Sequence, residues 1–274
     1  MSAKKTDTAS LKKKAQQLRR DILAMLCEAG SGHPGGSLSL VELIVGLYFH
    51  ALRHRPGDPQ WAGRDIFILS KGHGCPALYA ALADCGYFPK EELKTLRRLN
   101  SRLQGHPQRG LPGIEASTGS LGQGLSIANG IALAARLDRL DRRVYCIMGD
   151  GEIQEGQIWE AALTAGHYKL DNLCGIIDNN GYQIDGRIED TKNLAPIADK
   201  WRSFNWHAIE IDGHDIGQVI AAYDEAGTIK GKPTMIVART VKGKGISFME
   251  CDNKWHGVAP SEDEFRKAIE ELNN

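Results

Sequence analysis

The sequence predicts an α/β protein in which a parallel sheet carries helices on both faces. Short, continuously apolar runs alternate with amphipathic stretches along the second half of the chain. Runs of this kind are typical of parallel strands, which are buried on both faces, and each parallel pair needs a crossover connection that is usually a helix. The predicted strands are Arg143–Met148, Leu173–Asp178, His207–Ile211 and Thr234–Thr240, and the helices of this half are expected at about 153–168, 195–203, 215–227 and 262–272.

The first half of the chain supplies further helices and one more strand. Leu11, Ala15, Leu18, Ile22 and Met25 recur at helical spacing, so a helix is predicted over residues 10–29, with Gly30 as its end. The stretch 39–42, Ser-Leu-Val-Glu, matches a capping box and predicts a helix to about Leu52. The remaining predicted elements are a strand at 65–69, helices at about 75–85, 90–99 and 122–139, and a loop over 100–121.

Length and composition limit the class of protein. The chain has 274 residues and a formal net charge of zero, which argues against a nucleic-acid binder and leaves room for self-association or a partner. The six cysteines form no CxxC pair, and neither a signal peptide nor an apolar run long enough to span a membrane is evident. We expect a cytoplasmic protein that does not contact a membrane, with one domain over residues 10–274 after a polar tail over 1–9.

Glycine is in excess, and many glycines flank histidines. Of nine histidines, six have a glycine neighbour, which is more than chance gives for 31 glycines in this length. Glycine permits sharp turns and close approach of a ligand, and histidine exchanges protons near neutral pH. We expect at least three of the loop histidines to converge on one pocket, and we interpret His167 and His214 as structural. The glycine-flanked histidines are His33, His73, His106, His167, His214 and His256.

A second pattern places polar oxygens at the carboxyl ends of two predicted strands. Gly149-Asp150-Gly151 ends one strand, and Asn179-Asn180-Gly181 ends the next, with 27 residues between Gly151 and Asn179. Open α/β sheets bind ligands at this edge. Asp150 and Asn180 suit Mg²⁺ or Ca²⁺ shared with a diphosphate, and a helix starting beyond Gly151 would favour negative charge. Taken singly, each turn is also explained by an Asp helix cap or a common Asn-Gly turn.

These motifs together resemble the transketolase family. The pair of turns resembles the thiamine diphosphate motif, and further stretches resemble transketolase in the same order along the chain, from about Leu11 to Pro260. They are Ser31–Gly36, Ser70–His73, Gly105–Pro107, Thr118–Gly124 and Trp255–Gly257. The resemblance implies a thiamine diphosphate-binding fold and transfer of a two-carbon ketol unit from a ketose phosphate to an aldose phosphate, as in the pentose phosphate pathway.

The resemblance also implies residue roles. Asp150, Asn180 and the carbonyl of Tyr182 would hold the metal, and Glu155 resembles the acid that links two cofactor sites across a dimer. Ser120 stands where many members have proline, and Tyr182 where a smaller aliphatic residue is usual. Substrate contacts fall to His33, His106 and His256, and the cofactor would contact His73, Gly119, Ser120, Leu121, Gly151, Glu155, Asn180 and His256.

The length of the chain makes a partner part of this hypothesis. The family's activating glutamate belongs to a following domain, which has no counterpart before Asn274. The resemblance therefore implies the N-terminal subunit of a two-chain transketolase, paired as α2β2 with a subunit that carries the pyrimidine-binding and C-terminal domains. The alternatives are a two-chain enzyme for a branched or sulfonated ketose phosphate, a deoxyxylulose-phosphate synthase and a non-catalytic scaffold.

Overall fold

A five-stranded parallel sheet forms the centre of the computed structural model, which describes residues 7–273. The strand order is β1-β2-β3-β7-β6, and every neighbouring pair is parallel. All positions of β1 and β2 are buried, as expected for continuous apolar runs. The five strands are β1 (Ile66–Leu69), β2 (Val144–Gly149), β3 (Leu173–Asn179), β6 (His207–Asp212) and β7 (Thr234–Arg239); β4 (Tyr182–Gln183) and β5 (Gly186–Arg187) form a separate hairpin.

Helices cover both faces of the sheet, which confirms the predicted architecture. One apolar core lies between the sheet and α1, α3, α4 and α9, and a second lies between the sheet and α5, α6 and α8. The helices are α1 (Thr8–Ala29), α2 (Pro34–Leu38), α3 (Val41–Gly46), α4 (Cys75–Cys85), α5 (Gln123–Leu137), α6 (Gly156–His167), α7 (Ile188–Thr191), α8 (Ile197–Ser203), α9 (Ile216–Thr228) and α10 (Glu262–Asn273). No helix within residues 7–273 is both long and apolar enough to cross a membrane.

The first helix starts earlier than the periodicity indicates. The side chain of Asp7 accepts a hydrogen bond from the backbone N–H of Ala9 at 3.0 Å and so caps α1, which begins at Thr8. Thr8 and Ala9, assigned to the polar tail, therefore belong to the helix. Residues 1–6 of that tail lie outside the described part of the chain.

The capping box predicted at residues 39–42 is wrong. The Ser39 hydroxyl donates to Asp178 at 2.6 Å, and Glu42 pairs with Arg19, so neither side chain caps α3. Both residues are engaged by partners that are far away in sequence, and such partners are invisible to a local pattern. The helix also ends differently, because five residues of wider π-type turn, Leu47–Ala51, follow α3.

Two further boundaries differ from the prediction. The helix predicted from about residue 153 is split into a 3₁₀ turn at Glu152–Gln154 and α6, so Gly151 is not followed directly by an α-helix. The helix predicted over 90–99 is a 3₁₀ segment at Lys90–Thr95.

Candidate functional site

Four of the glycine-flanked histidines surround one cavity at the carboxyl edge of the sheet. The ring of His33 lies 5.4 Å from that of His73, 5.7 Å from that of His256 and 6.4 Å from that of His106. The rings of His73 and His256 are 5.6 Å apart. All four rings line a cavity of about 360 Å³. The expectation that at least three would converge is confirmed.

The other two histidines of this group lie elsewhere. His167 is at the end of α6, where its ring contacts Tyr168. His214 precedes α9, whose N-cap is Asp215, and its ring bonds to Glu42. Neither residue borders the cavity.

The floor of the cavity is formed by the two turns that follow β2 and β3. The carboxylate of Asp150 accepts hydrogen bonds from the backbone N–H groups of Gly151 at 2.8 Å and Gly181 at 2.6 Å. The side chain of Asn180 accepts from the backbone N–H of Tyr182 at 3.1 Å. The strand register aligns Gly149 with Asp178, so the crossover brings the two turns together as predicted.

A buried ion pair lies beneath this floor. Nζ of Lys71 donates to the carboxylate of Asp178 and to the carbonyl of Gly36, and the side chains of both charged residues are almost wholly buried. Burial alone would raise the pKa of Asp178, but Lys71 and the hydroxyls of Ser39 and Thr240 hold it below its ordinary value. The pair ties the ends of β1 and β3 to α2.

In the part of the chain that the structure describes, the carboxyl group of Asp150 has no such cationic partner in direct contact. Burial and the nearby carboxylate of Asp178 raise the pKa of Asp150 to about 7, although two backbone N–H groups oppose the shift. A buried carboxylate beside a second one is an arrangement that a cation would stabilise. Within residues 7–273, no three His, Cys, Asp or Glu side chains gather as a metal site.

A third buried carboxylate, that of Glu152, joins three segments that border the cavity. It accepts hydrogen bonds from the hydroxyl of Ser70 and from the backbone N–H groups of Gly122 and Gly149, both at 3.0 Å. Burial raises the pKa of this carboxyl group. Glu152 therefore holds together three segments that form the walls of the cavity.

Almost every residue predicted for the site borders the cavity. The exception is Ser120, which is exposed and lies outside the lining. Gly119 has a φ of +146°, and a Cβ there would lie 3.1 Å from the His106 ring, so the loop requires glycine. The predicted residues in the lining are His33, His73, His106, Gly119, Leu121, Asp150, Gly151, Glu155, Asn180, Tyr182 and His256.

Several lining residues were not predicted from the sequence. Lys71, Gly149 and Glu152 stand inside or beside the motifs described above, next to residues that received a role. Nothing in the local pattern marks the two charged side chains as buried, because buried lysine and glutamate are rare. Gln183 and Ile184 belong to the β4–β5 hairpin, which was not predicted.

Burial keeps the histidines of the cavity neutral. It lowers the pKa of His33 to about 4, with Arg97 adding to the effect. It also lowers the pKa of His256 to about 4, with Lys242 adding to the effect. The pKa of His73 lies well below its ordinary value and that of His106 is lowered as well, in both cases first by burial. Neutral imidazoles can accept and donate hydrogen bonds to hydroxyl and carbonyl groups at neutral pH.

Comparison with known proteins assigns the family. Residues 11–273 match the family described as "Transketolase, thiamine diphosphate binding domain". The 6-deoxy-6-sulfo-D-fructose transketolase subunit SqwG of Clostridium sp. (strain MSTE9) is 46% identical, with 96% of each chain covered. One subunit of the apulose-4-phosphate transketolase of Actinobacillus succinogenes is 43% identical, covering 96% of this chain and 95% of that one.

Longer transketolases match in both sequence and structure. Human transketolase is 39% identical over 96% of this chain, which spans 42% of the human protein. The crystal structure of transketolase from Campylobacter jejuni superposes with a TM-score of 0.93 at 34% identity and covers 98% of this chain and 43% of that one.

The chain therefore belongs to the transketolase family and is the thiamine diphosphate-binding domain of that family. It is a transketolase subunit of the kind found in two-chain enzymes, since subunits of such enzymes match it over nearly their whole length. Its reaction class is the transfer of a two-carbon ketol unit from a ketose to an aldose.

Proposed function

We propose that Asp150, Asn180 and the carbonyl of Tyr182 hold a divalent cation, Mg²⁺ or Ca²⁺, against the diphosphate of thiamine diphosphate in this cavity. The observation that carries the proposal is the buried carboxylate of Asp150, which accepts hydrogen bonds from the backbone N–H groups of Gly151 and Gly181 and contacts no cationic side chain within residues 7–273. Hard oxygen donors are the ligands that these cations prefer, and Mg²⁺ commonly binds through few protein ligands plus phosphate.

Unpartnered polar atoms in the cavity support a bound ligand. Nδ1 of His33 and Oε1 of Gln183 are buried, and neither has a hydrogen-bond partner within the described part of the chain. Buried polar atoms are normally satisfied, so a rotation of either side chain toward the cavity would let a bound molecule supply the missing partner. A Cβ at Gly151 would lie 2.9 Å from the Gln183 side chain, so glycine is needed for the close approach of these two residues in the cavity wall.

The residues around the cavity fall into two groups, those that would contact the cofactor and those that would contact the sugars. His73, Gly119, Leu121, Gly151 and His256 would border the cofactor, together with Ser120 and Glu155 at its rim. Thiamine diphosphate supplies the carbanion chemistry of ketol transfer when it is bound. His33, His106 and His256 would contact the hydroxyl and carbonyl groups of the sugars and move protons at those oxygens.

A partner subunit would complete the site. One apolar side chain of the cavity lining, that of Ile184, is 69% exposed. A protein surface over the mouth of the cavity would bury this side chain. We propose the pyrimidine-binding and C-terminal domains as that partner, in an α2β2 assembly in which Glu155 connects paired sites.

The cysteines support a cytoplasmic location. All six are free thiols, the state that the reducing conditions of the cytoplasm maintain.

The sugars are proposed from the relatives. The two relatives of similar length that are compared above are named for a sulfonated fructose and for apulose 4-phosphate. The general proposal is a ketose phosphate donor with an aldose phosphate acceptor, as in the pentose phosphate pathway. A specialised sulfonated or branched ketose is the second candidate, favoured by those names.

Substitution of Asp150 tests the metal site. In the complex with the partner subunit, Asp150→Ala should lower thiamine diphosphate affinity at least a hundredfold, because the cation loses its charged ligand. Isothermal titration at fixed Mg²⁺ measures this. Asp138→Ala, an exposed carboxylate at the end of α5, is the matched control and should bind like the wild type. Unchanged affinity of Asp150→Ala would refute the proposed ligand.

A panel of donors separates the candidate substrates. The complex is assayed with 6-deoxy-6-sulfo-D-fructose, apulose 4-phosphate and fructose 6-phosphate, and the highest kcat/KM identifies the class. Turnover by this chain alone, without a partner, would contradict the proposed division of the site between two subunits.

A further inference from the structure

His214, which lies outside the cavity, belongs to a buried charged network behind it. Its Nδ1 is 2.9 Å from Oε2 of Glu42, and both side chains are largely buried. The guanidinium of Arg19 clamps the same carboxylate through two hydrogen bonds of 2.7 and 2.9 Å. The network joins α1, α3 and the turn that follows β6.

The other ring nitrogen of His214 holds a loop. Nε2 lies 2.8 Å from the backbone nitrogen of Val241, which can only donate. Nε2 must therefore be the acceptor, so the proton of the neutral ring sits on Nδ1 and is donated to Glu42. Arg19 contacts the same loop, since its Nε donates to the carbonyl of Lys244 at 2.9 Å. We call residues 240–245 the lysine loop.

The lysine loop presents Lys242 to the back of the cavity. Lys242 is buried, and its Nζ lies 3.0 Å from Nδ1 of His256 and 2.8 Å from Oδ1 of Asn253. His256 in turn lines the cavity. The backbone N–H of Gly243 donates to the carbonyl of Gly35, so the loop also meets α2. A shift of the loop would move Lys242 away from His256.

We propose that His214 is a positioning residue, which fixes the lysine loop through the Val241 N–H so that Lys242 sets the place of His256 in the cofactor cavity. The Arg19–Glu42 pair orients the imidazole, and the imidazole orients the loop. The link to the cofactor rests on the function proposed above, whereas the link from His214 to the loop does not.

Two amide substitutions separate the two nitrogens of the ring. In His214→Asn the amide reaches Glu42 but is too short for Val241, and in His214→Gln it reaches Val241. Both variants keep a polar group of similar size, so both should fold. Hydrogen exchange of the cofactor-free complex should be at least tenfold faster over the lysine loop in His214→Asn and close to wild type in His214→Gln. Strand β7 should exchange unchanged in both variants.

The control is His207→Asn, because His207 also pairs with an acid, Glu225, but lies at the opposite end of the sheet.

The affinity for the cofactor is the second measurement. Thiamine diphosphate should bind at least fivefold more weakly to the His214→Asn complex than to the wild type, and it should bind to the His214→Gln complex with wild-type affinity. Equal loop exchange in His214→Asn and the wild type, or equal acceleration in the His207 control, would overturn the proposal. Failure of the wild-type complex to bind the cofactor would refute the proposed function instead, and the exchange result would still decide the role of His214 in the loop.

Discussion

At the scale of single residues, burial more than neighbouring charge sets the protonation of the histidine cluster. It is the leading cause of the lowered pKa at His33, His73, His106 and His256. A cluster of four imidazoles would repel itself if charged, and the cations Lys71 and Lys242 lie close by. The site therefore avoids the repulsion by keeping the rings neutral.

This protonation pattern predicts a pH-dependent stability. The pKa of His33 and of His256 is about 4 in the folded chain and near 6.5 when unfolded. Between these values the unfolded chain binds more protons, so the free energy of unfolding should fall as pH drops from about 6.5 to about 4. The free energy of unfolding is measured with urea at several pH values. Its slope against pH between about 4 and 6.5 should be smaller in His33→Gln than in the wild type, by the equivalent of up to one bound proton. Above about pH 7 the free energies of unfolding of the wild type and of His33→Gln should vary with pH in parallel. Equal slopes below pH 7 would contradict the lowered pKa of His33.

Glu152 offers a residue-scale test of the cavity walls. Glu152→Ala leaves the Ser70 hydroxyl and the N–H groups of Gly122 and Gly149 without their acceptor. Each unpaired buried donor costs about 1–3 kcal/mol. Because loss of the buried charge offsets part of this, we expect destabilisation of about 2 kcal/mol or more by chemical denaturation. Glu160→Ala, exposed on α6, should stay within about 0.5 kcal/mol of the wild type. A similar change in both variants would show that Glu152 does not hold these segments.

The sequence predicted some of these residues and could not predict others. The histidines were found because glycine neighbours mark tight turns, and Asp150 and Asn180 because both follow apolar runs. Lys71 was missed as a charged partner because its acid, Asp178, is 107 positions away and is read locally as the end of a strand. Partners that are distant in sequence leave no local signal.

At the scale of elements, close packing between helices and turns fixes where glycine is required. Gly166 in α6 faces the turn between α8 and β6, and a Cβ there would lie 2.0 Å from the carbonyl oxygen of Phe204. Gly166→Ala should therefore destabilise the chain by about 1–3 kcal/mol through overpacking. A Cβ added at Gly227 in α9 would meet no described atom within 4 Å beyond its chain neighbours and the backbone of its own helix, so Gly227→Ala should stabilise by up to about 1 kcal/mol. Thermal unfolding of both variants checks the pair, and equal effects would contradict this packing argument.

The large elements were predictable and the small ones were not. Apolar runs predicted every strand of the main sheet to within one or two residues, because strands buried on both faces leave long hydrophobic signatures. The β4–β5 hairpin has strands of two residues each, too short for any periodicity. It nevertheless supplies Tyr182, Gln183 and Ile184 to the cavity. One segment that borders the cavity is thus less evident in the sequence than the sheet that supports it.

At the scale of the whole molecule, the cavity lies at an edge that the chain leaves partly uncovered. The carboxyl ends of the central strands lead into its floor, and the exposed side chain of Ile184 is part of its lining. Some relatives contain this domain within a longer chain. Human transketolase is one of them, because the present chain spans only 42% of its length. These observations together favour a mouth that is closed by a second polypeptide.

Ile184 is the position at which this closure is best tested. Its side chain is 69% exposed and lines the cavity, so a protein surface over the mouth would bury it. Ile184→Lys places a charge in that contact and should weaken assembly with the partner at least tenfold, measured by sedimentation or by titration of the partner. Because the side chain is exposed in the chain itself, the variant should fold with wild-type stability. Leu140→Lys is the control, since Leu140 is 39% exposed just before β2, at the opposite end of the sheet, and its substitution should leave assembly unchanged. Normal assembly of Ile184→Lys would place the partner away from the mouth, and the cavity would then have to be completed by another surface.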